Sequence, residues 1–220
     1  MKGYINFSNA TKEETMEKIK LAVNGGIGFG SKLTAKQLLT LANYLGEDEV
    51  LELTTFQQLY IEIPVNQKDE IIKELQQVGL SCYPVGNYIK SLRTCNFCKG
   101  AEEEGMPVAI EINRRIAGIP VPFTLKAAYT GCTNACGEPL LSDIGVVKVR
   151  DHYNLYIGGT AKGIAPKVGT LFKENLTPDQ LYETIDLLIK EYQTHGKKRE
   201  PFHKFVNRVD LNENEKIERI

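Results

Sequence analysis

Lys126-Ala-Ala-Tyr-Thr-Gly-Cys-Thr-Asn-Ala-Cys-Gly137 decides how the rest of the chain is read. Apolar positions alternate through Phe123, Leu125, Ala127 and Tyr129, which predicts a strand running straight into Cys132. Cys132 and Cys136 then sit between Gly131 and Gly137, residues that let a backbone turn sharply and approach a neighbour closely. A second pair, Cys95 and Cys98, stands upstream in Thr94-Cys-Asn-Phe-Cys-Lys-Gly100. Thiolates on two short loops suit soft metals, zinc or an iron–sulfur cluster, and the short spacings alone do not choose between them. The fifth cysteine, Cys82, precedes Tyr83-Pro84 in an extended stretch and reads as a structural thiol.

Working outward, 220 residues with 42% hydrophobic content suit one large domain or two small ones with a real core. The formal net charge of -1 gives no global field for nucleic acid. Met1-Lys-Gly-Tyr-Ile-Asn6 has no apolar signal region and no run approaches membrane-span length, so a cytoplasmic protein is expected. An odd number of cysteines in that setting points to metal or redox use rather than a disulfide framework.

The N-terminal part reads as a strand over Gly3–Phe7, then a helix to about Val23 behind the capping box Thr11-Lys-Glu-Glu14. Gly25–Gly30 matches neither a dinucleotide fingerprint nor a phosphate loop. A second capping box, Thr34-Ala-Lys-Gln37, opens a helix with Leu38, Leu41, Ala42 and Leu45 at helical spacing. Strands are expected at Val50–Leu53, Leu59–Ile63 and Leu80–Val85, with a helix capped by Asn66 burying Ile71, Leu75 and Val78. Helix, strand, strand, helix, strand is most of a ferredoxin-like split βαβ unit, its missing member supplied by Gly25–Gly30 or the N-terminal strand. Further on, a helix is expected over Pro107–Ile116, with Glu102-Glu-Glu104 as its solvated start. A strand pair follows at Ile144–Val149 and Tyr153–Ile157. Thr177-Pro-Asp-Gln180 caps a helix burying Leu181, Ile185, Leu188 and Tyr192, and a short helix spans Pro201–Val209. The expected fold is α+β: a ferredoxin-like half-domain at 1–88, then an α+β domain at 89–220 that carries the cysteine pairs.

The chain resembles the nitrite/sulfite reductase family, the siroheme and [4Fe–4S] enzymes. Leu33-Thr-Ala-Lys-Gln-Leu38, Leu53-Thr-Thr-Phe-Gln-Gln58 and Leu75–Leu80 are similar to its ferredoxin-like half-domain. Lys126–Gly137 is similar to its cluster signature, followed in family order by Asp143-Ile-Gly145, Leu155-Tyr-Ile-Gly-Gly159, Pro166 and Gly169. Full-length members carry two copies of this unit and this chain carries one, as in the small, single-unit class. The resemblance therefore admits a homodimer.

It also implies that Cys95, Cys98, Cys132 and Cys136 hold a [4Fe–4S] cluster, with Cys136 bridging to siroheme iron. Lys99, Lys126, Asn134, Gly158, Gly159, Lys162 and Lys167 would contact siroheme, whose many carboxylates call for cations and backbone N–H groups. Lys126 and Arg93 would act on a small anionic substrate, with electrons from an external ferredoxin-like or flavoprotein donor. Neither a nucleic acid nor a membrane is an expected partner.

Three places depart from the family pattern. Thr54-Thr55-Phe56-Gln57 has a phenylalanine where the family has arginine, and Thr124-Leu125-Lys126 keeps one lysine of two. The Cys95–Cys98 loop is contracted. The alternatives are a siroheme/Fe–S protein with another ligand or an electron-transfer role, and a non-redox four-cysteine zinc module.

Overall fold

The computed structural model describes residues 17–25, 32–46, 48–95, 98, 102–209 and 211. The expected Gly3–Phe7 strand, the Thr11–Glu14 box and all of Gly25–Gly30 beyond its first residue lie outside them.

The first described element corrects the sequence reading. Lys18–Asn24 is a strand, β1, not the end of a helix. Ile19, Leu21 and Val23 alternate with Lys18, Lys20 and Ala22. That period of two, with β-branched residues at both ends, outweighs a capping signal several residues upstream. Helix α1 (Ala35–Ala42), β2 (Glu52–Leu53), β3 (Leu59–Pro64), α2 (Lys68–Gln77) and β4 (Ser81–Pro84) follow. The sheet order is β2-β3-β1-β4 with every pair antiparallel. This is the split βαβ arrangement, and β1 is its missing member.

Thr34 caps α1 as expected, with the reciprocal Gln37 contact. The buried face of α1 differs, however. Gln37 and Leu41 are buried while Leu38 is 47% exposed. Gln37 is held inside because its amide also donates to the Val78 carbonyl at 3.1 Å, tying α1 to the end of α2. Asn66 does not cap α2. It lies in a 3-10 turn, Val65–Gln67, and Asp69 and Glu70 in the first turn of α2 favour the positive end of the helix dipole instead. Leu41, Ile71 and Leu75 pack on Leu21, Val23, Ile61 and Ile63 to form the first core.

The second sheet has the order β5-β6-β7-β8-β9, formed by Arg93–Thr94, Ala127–Thr130, Ile144–Val149, His152–Ile157 and Thr170–Leu176. The β5–β6 and β6–β7 pairs are parallel, and β7–β8–β9 is antiparallel. All four β6 residues are buried, because this strand has a neighbour on each side and cover on both faces. Helices α3 (Glu102–Ile116), α4 (Pro178–His195) and α5 (Phe202–Arg208) complete this half. Pro107 lies inside α3 rather than opening it, in accord with a helix start at Glu102. Thr177 forms the full capping box of α4, and Leu181, Ile185, Leu188 and Tyr192 are buried as their spacing requires. They join Ile112, Ile116, Tyr129 and Phe205 in the second core.

The halves meet through a small buried polar junction. The Ser91 hydroxyl accepts from the Asn24 amide at 3.2 Å and from the Gln58 amide at 2.6 Å. Polar contacts of this kind fix a relative orientation that apolar packing alone would leave loose.

Candidate cofactor and anion site

Because β5 and β6 run parallel, with Arg93 opposite Ala128 and Thr94 opposite Tyr129, both cysteine loops leave the same end of the sheet. Three contacts join them. The Cys95 N–H donates to the Tyr129 carbonyl at 3.2 Å. The Gly131 N–H donates to Cys95 Sγ at 3.5 Å. The Arg93 guanidinium meets the Glu138 carboxylate at 2.7 Å. Gly137 is glycine for want of space: a Cβ there would stand 2.7 Å from the Tyr129 oxygen and 3.1 Å from the Cys95 nitrogen. Cys95 and Cys132 are half-buried free thiols, and Cys98 and Cys136 are exposed ones. Among the described residues no three His, Cys, Asp or Glu side chains are grouped as metal ligands. The fold thus brings the two cysteine loops to the same end of the sheet.

Beside the loops lies a cavity of about 860 Å³, near the upper end of small-molecule sites. Phe56, Tyr60 and Tyr83 come from the first half; Lys90, Arg93, Lys126, Asp143 and Lys162 come from the second. His203 and Lys204 from α5 also reach it. Of the sequence-derived candidates, the cavity is lined by Arg93, Lys126, Gly159 and Lys162, whereas Gly158, Asn134 and Lys167 do not line it. Lys99 lies outside the described residues.

Phe56 is buried, and its ring packs against both catalytic candidates. Lys126 Nζ lies 5.1 Å and the Arg93 guanidinium 5.9 Å from its centroid. Where the resemblance leads one to look for a cation, an aromatic face instead gathers two neighbouring cations. Thr124 also lines the cavity, where its hydroxyl donates to the Gly86 carbonyl.

Lys126 is held through its backbone. Its N–H donates to Asp143 Oδ2 at 2.8 Å, and its carbonyl accepts the Ile144 N–H at 3.2 Å. Burial, with Lys162 and Lys90 nearby, lowers its ammonium to about 8. Burial raises the Asp143 carboxyl to about 6, against the Lys126 N–H and the Lys126 and Lys162 charges. Sequence reasoning quoted Asp143 only as part of a motif, and gave no role to Lys90, Tyr60, Glu138 or His203. Lys90 Nζ donates to the Tyr60 hydroxyl at 2.6 Å, a contact between halves with no local signature.

Lys126 therefore loses its charge as pH rises through about 8 rather than above 10. Unfolded chains keep the proton in that window, so folded stability increases as pH rises from about 8 to about 10. A carbon-13 NMR titration of reductively methylated lysines should show one resonance with a midpoint near 8, absent in Lys126→Met. A Lys126 midpoint at the ordinary lysine value would refute this burial effect.

Two cysteine loops thus leave parallel strand ends beside a cavity lined by Lys90, Arg93, Lys126 and Lys162. Residues 89–216 match the "Nitrite and sulphite reductase 4Fe-4S domain" model, and the chain belongs to that family. It is 32% identical over 203 residues to a cobalt-factor III methyltransferase of Priestia megaterium, covering 92% of this chain and 37% of that protein. It is 30% identical over 185 residues to the sulfite reductase [NADPH] hemoprotein beta-component of Actinobacillus pleuropneumoniae serotype 5b (strain L20), covering 82% of this chain and 28% of that protein. The fold matches dissimilatory sulfite reductase I with a TM-score of 0.66 at 12% identity, over 87% of this chain and 66% of that one. The chain thus spans about a third of the two sequence relatives' length. The family's cofactors are a [4Fe–4S] cluster and siroheme. Among the described residues no helix is long and apolar enough to cross a membrane.

Proposed function

We propose that this chain is a redox unit in which Cys95, Cys98, Cys132 and Cys136 hold a [4Fe–4S] cluster and the adjoining cavity holds siroheme, and that it reduces a small oxyanion. The observation that carries the reading is the joining of both cysteine loops to the cationic cavity through Arg93 and Glu138. The residues fit these groups. The donors are soft thiols, the cavity wall carries lysines for carboxylates, and Arg93 Nε is buried with no hydrogen-bond partner among the described residues, a donor left for an acceptor. Gly159 and Lys162 line that cavity and complete the proposed siroheme contacts there, while Lys99, Asn134, Gly158 and Lys167 are proposed from the sequence motifs alone.

When bound, the cluster and siroheme supply electron storage and an iron centre. The chain's own part is electrostatic. Arg93 and Lys126 would hold an anion, and Lys126, with its ammonium lowered to about 8, can give up a proton near neutral pH. We further propose a cytoplasmic protein with a ferredoxin-like or flavoprotein donor, working as a homodimer, with units at 1–88 and 89–220. The family match beginning at residue 89 supports that division.

The match to cobalt-factor III methyltransferase favours a second reading, in which the same cofactor-bearing unit acts on a cobalt factor or as an electron carrier. One experiment separates them: anaerobic purification, an optical spectrum with metal analysis, and assay with reduced methyl viologen. Haem and cluster absorption with consumption of sulfite or nitrite supports the first reading. The same spectrum without consumption supports the second. A colourless zinc protein eliminates both and leaves the zinc module.

A further inference from the structure

Glu138 has no place in the cofactor or substrate assignments above, yet it sits where the two cysteine segments meet. Arg93 stands two residues before Cys95, and Glu138 two residues after Cys136. Their side chains pair at 2.7 Å, with Arg93 mostly covered and Glu138 54% exposed. The pair spans from β5 to the loop after β6, in parallel with the Cys95–Tyr129 and Gly131–Cys95 contacts.

The backbone supplies a second, independent observation. Ala135 and Glu138 both occupy the left-handed region, at φ 54 and 52, on either side of Cys136 and Gly137. Residues other than glycine rarely adopt that conformation, and each costs folding free energy. Glycine at 138 would fit the backbone better. A glutamate there is explained by what its side chain does, which is to accept a hydrogen bond from the Arg93 guanidinium.

We infer that Glu138 is a positioning residue for the cluster, its carboxylate locking Arg93 across the two cysteine loops so that Cys95 and Cys136 keep a fixed relation. The inference rests on the reading that these cysteines hold a cluster. A pair with one exposed partner contributes little to global folding, so the effect is confined to the site.

The test measures cluster loss from anaerobically purified protein challenged with an iron chelator. A wild-type chain carrying no iron overturns the underlying reading and is recognised before any variant is made. Glu138→Gly is expected to release its cluster about tenfold faster, in the range typical of lost outer-shell support. Its unfolding midpoint should be unchanged or higher, because glycine relieves the left-handed backbone. The charge swap Arg93→Glu with Glu138→Arg should recover most of the wild-type lifetime. Wild-type release from Glu138→Gly, a lowered midpoint that accounts for its loss, or a swap no better than the single variant each overturns the inference.

Discussion

The Cys136→Ser protein is expected to fold and to lose its cluster, its iron falling by about four per chain. The physical case has two parts. Cys136 is exposed and belongs to neither core, so serine removes no packing on which the fold depends. A serine hydroxyl stays protonated at neutral pH and is a hard oxygen donor, poorly matched to iron–sulfur chemistry. Cys82 is the internal control. It is half-buried against the first core, on a strand of the other sheet from the cysteine loops, and burial pushes its thiol up to about 11. Cys82→Ser should keep its iron and lose about 1 kcal/mol of stability through packing. Iron and acid-labile sulfide per chain, read beside the optical spectrum, check both. Equal iron in Cys136→Ser and wild type would remove Cys136 from the ligand set.

What could be read from the sequence, and what could not, divides along the range of the interactions. Thr34 and Thr177 cap their helices as expected because a capping box is complete within four residues. The β7–β8 pair is equally legible, its register closing across the short Arg150-Asp151 turn. β1 was misread because a helix signal at Thr11–Glu14 was extended into a segment whose own period is two. β9 went unseen because Thr170-Leu-Phe-Lys-Glu-Asn-Leu176, an edge strand with much of its length exposed, lacks strict alternation. At the site, the cysteine loops were legible as motifs, but the cavity was not. Phe56, Lys90 and Glu138 acquire meaning only through partners far along the chain: Phe56 from Arg93 and Lys126, Lys90 from Tyr60, and Glu138 from Arg93. Phe56 illustrates the gain. As a letter it is a missing arginine; in the fold it is the surface on which two cations are assembled.

The glycines of the second half show the same principle and yield the largest stability effect. Gly145, Gly159 and Gly169 are far apart in sequence, yet all pack against one turn, Pro139–Ser142. A Cβ at Gly145 would lie 2.2 Å from the Pro139 oxygen, and one at Gly159 would lie 2.3 Å from the Leu140 oxygen. Gly169 donates its N–H to that Leu140 oxygen at 2.7 Å, and Gly158 donates to the Asp143 oxygen at 2.9 Å. Two of these glycines invite comparison with an anion-binding loop, but the need for glycine at 159 comes from the protein's own backbone. The turn they enclose carries Glu138 at its start and Asp143 at its end, so packing there places both the Arg93 partner and the Lys126 anchor. In Gly145→Ala the obstructing atoms are backbone, which cannot rotate away as a side chain would. The turn or β7 must shift, and the expected cost is about 3 kcal/mol. For a chain of this size that lowers the thermal midpoint by about 6–12 °C. Gly46→Ala meets only the flexible Glu49 side chain, at 3.4 Å, and should stay within about 0.5 kcal/mol of wild type. Thermal unfolding followed by circular dichroism compares the two. If Gly145→Ala melts with Gly46→Ala, the turn is not clamped as the structure shows, and Glu138 and Asp143 are not positioned by it.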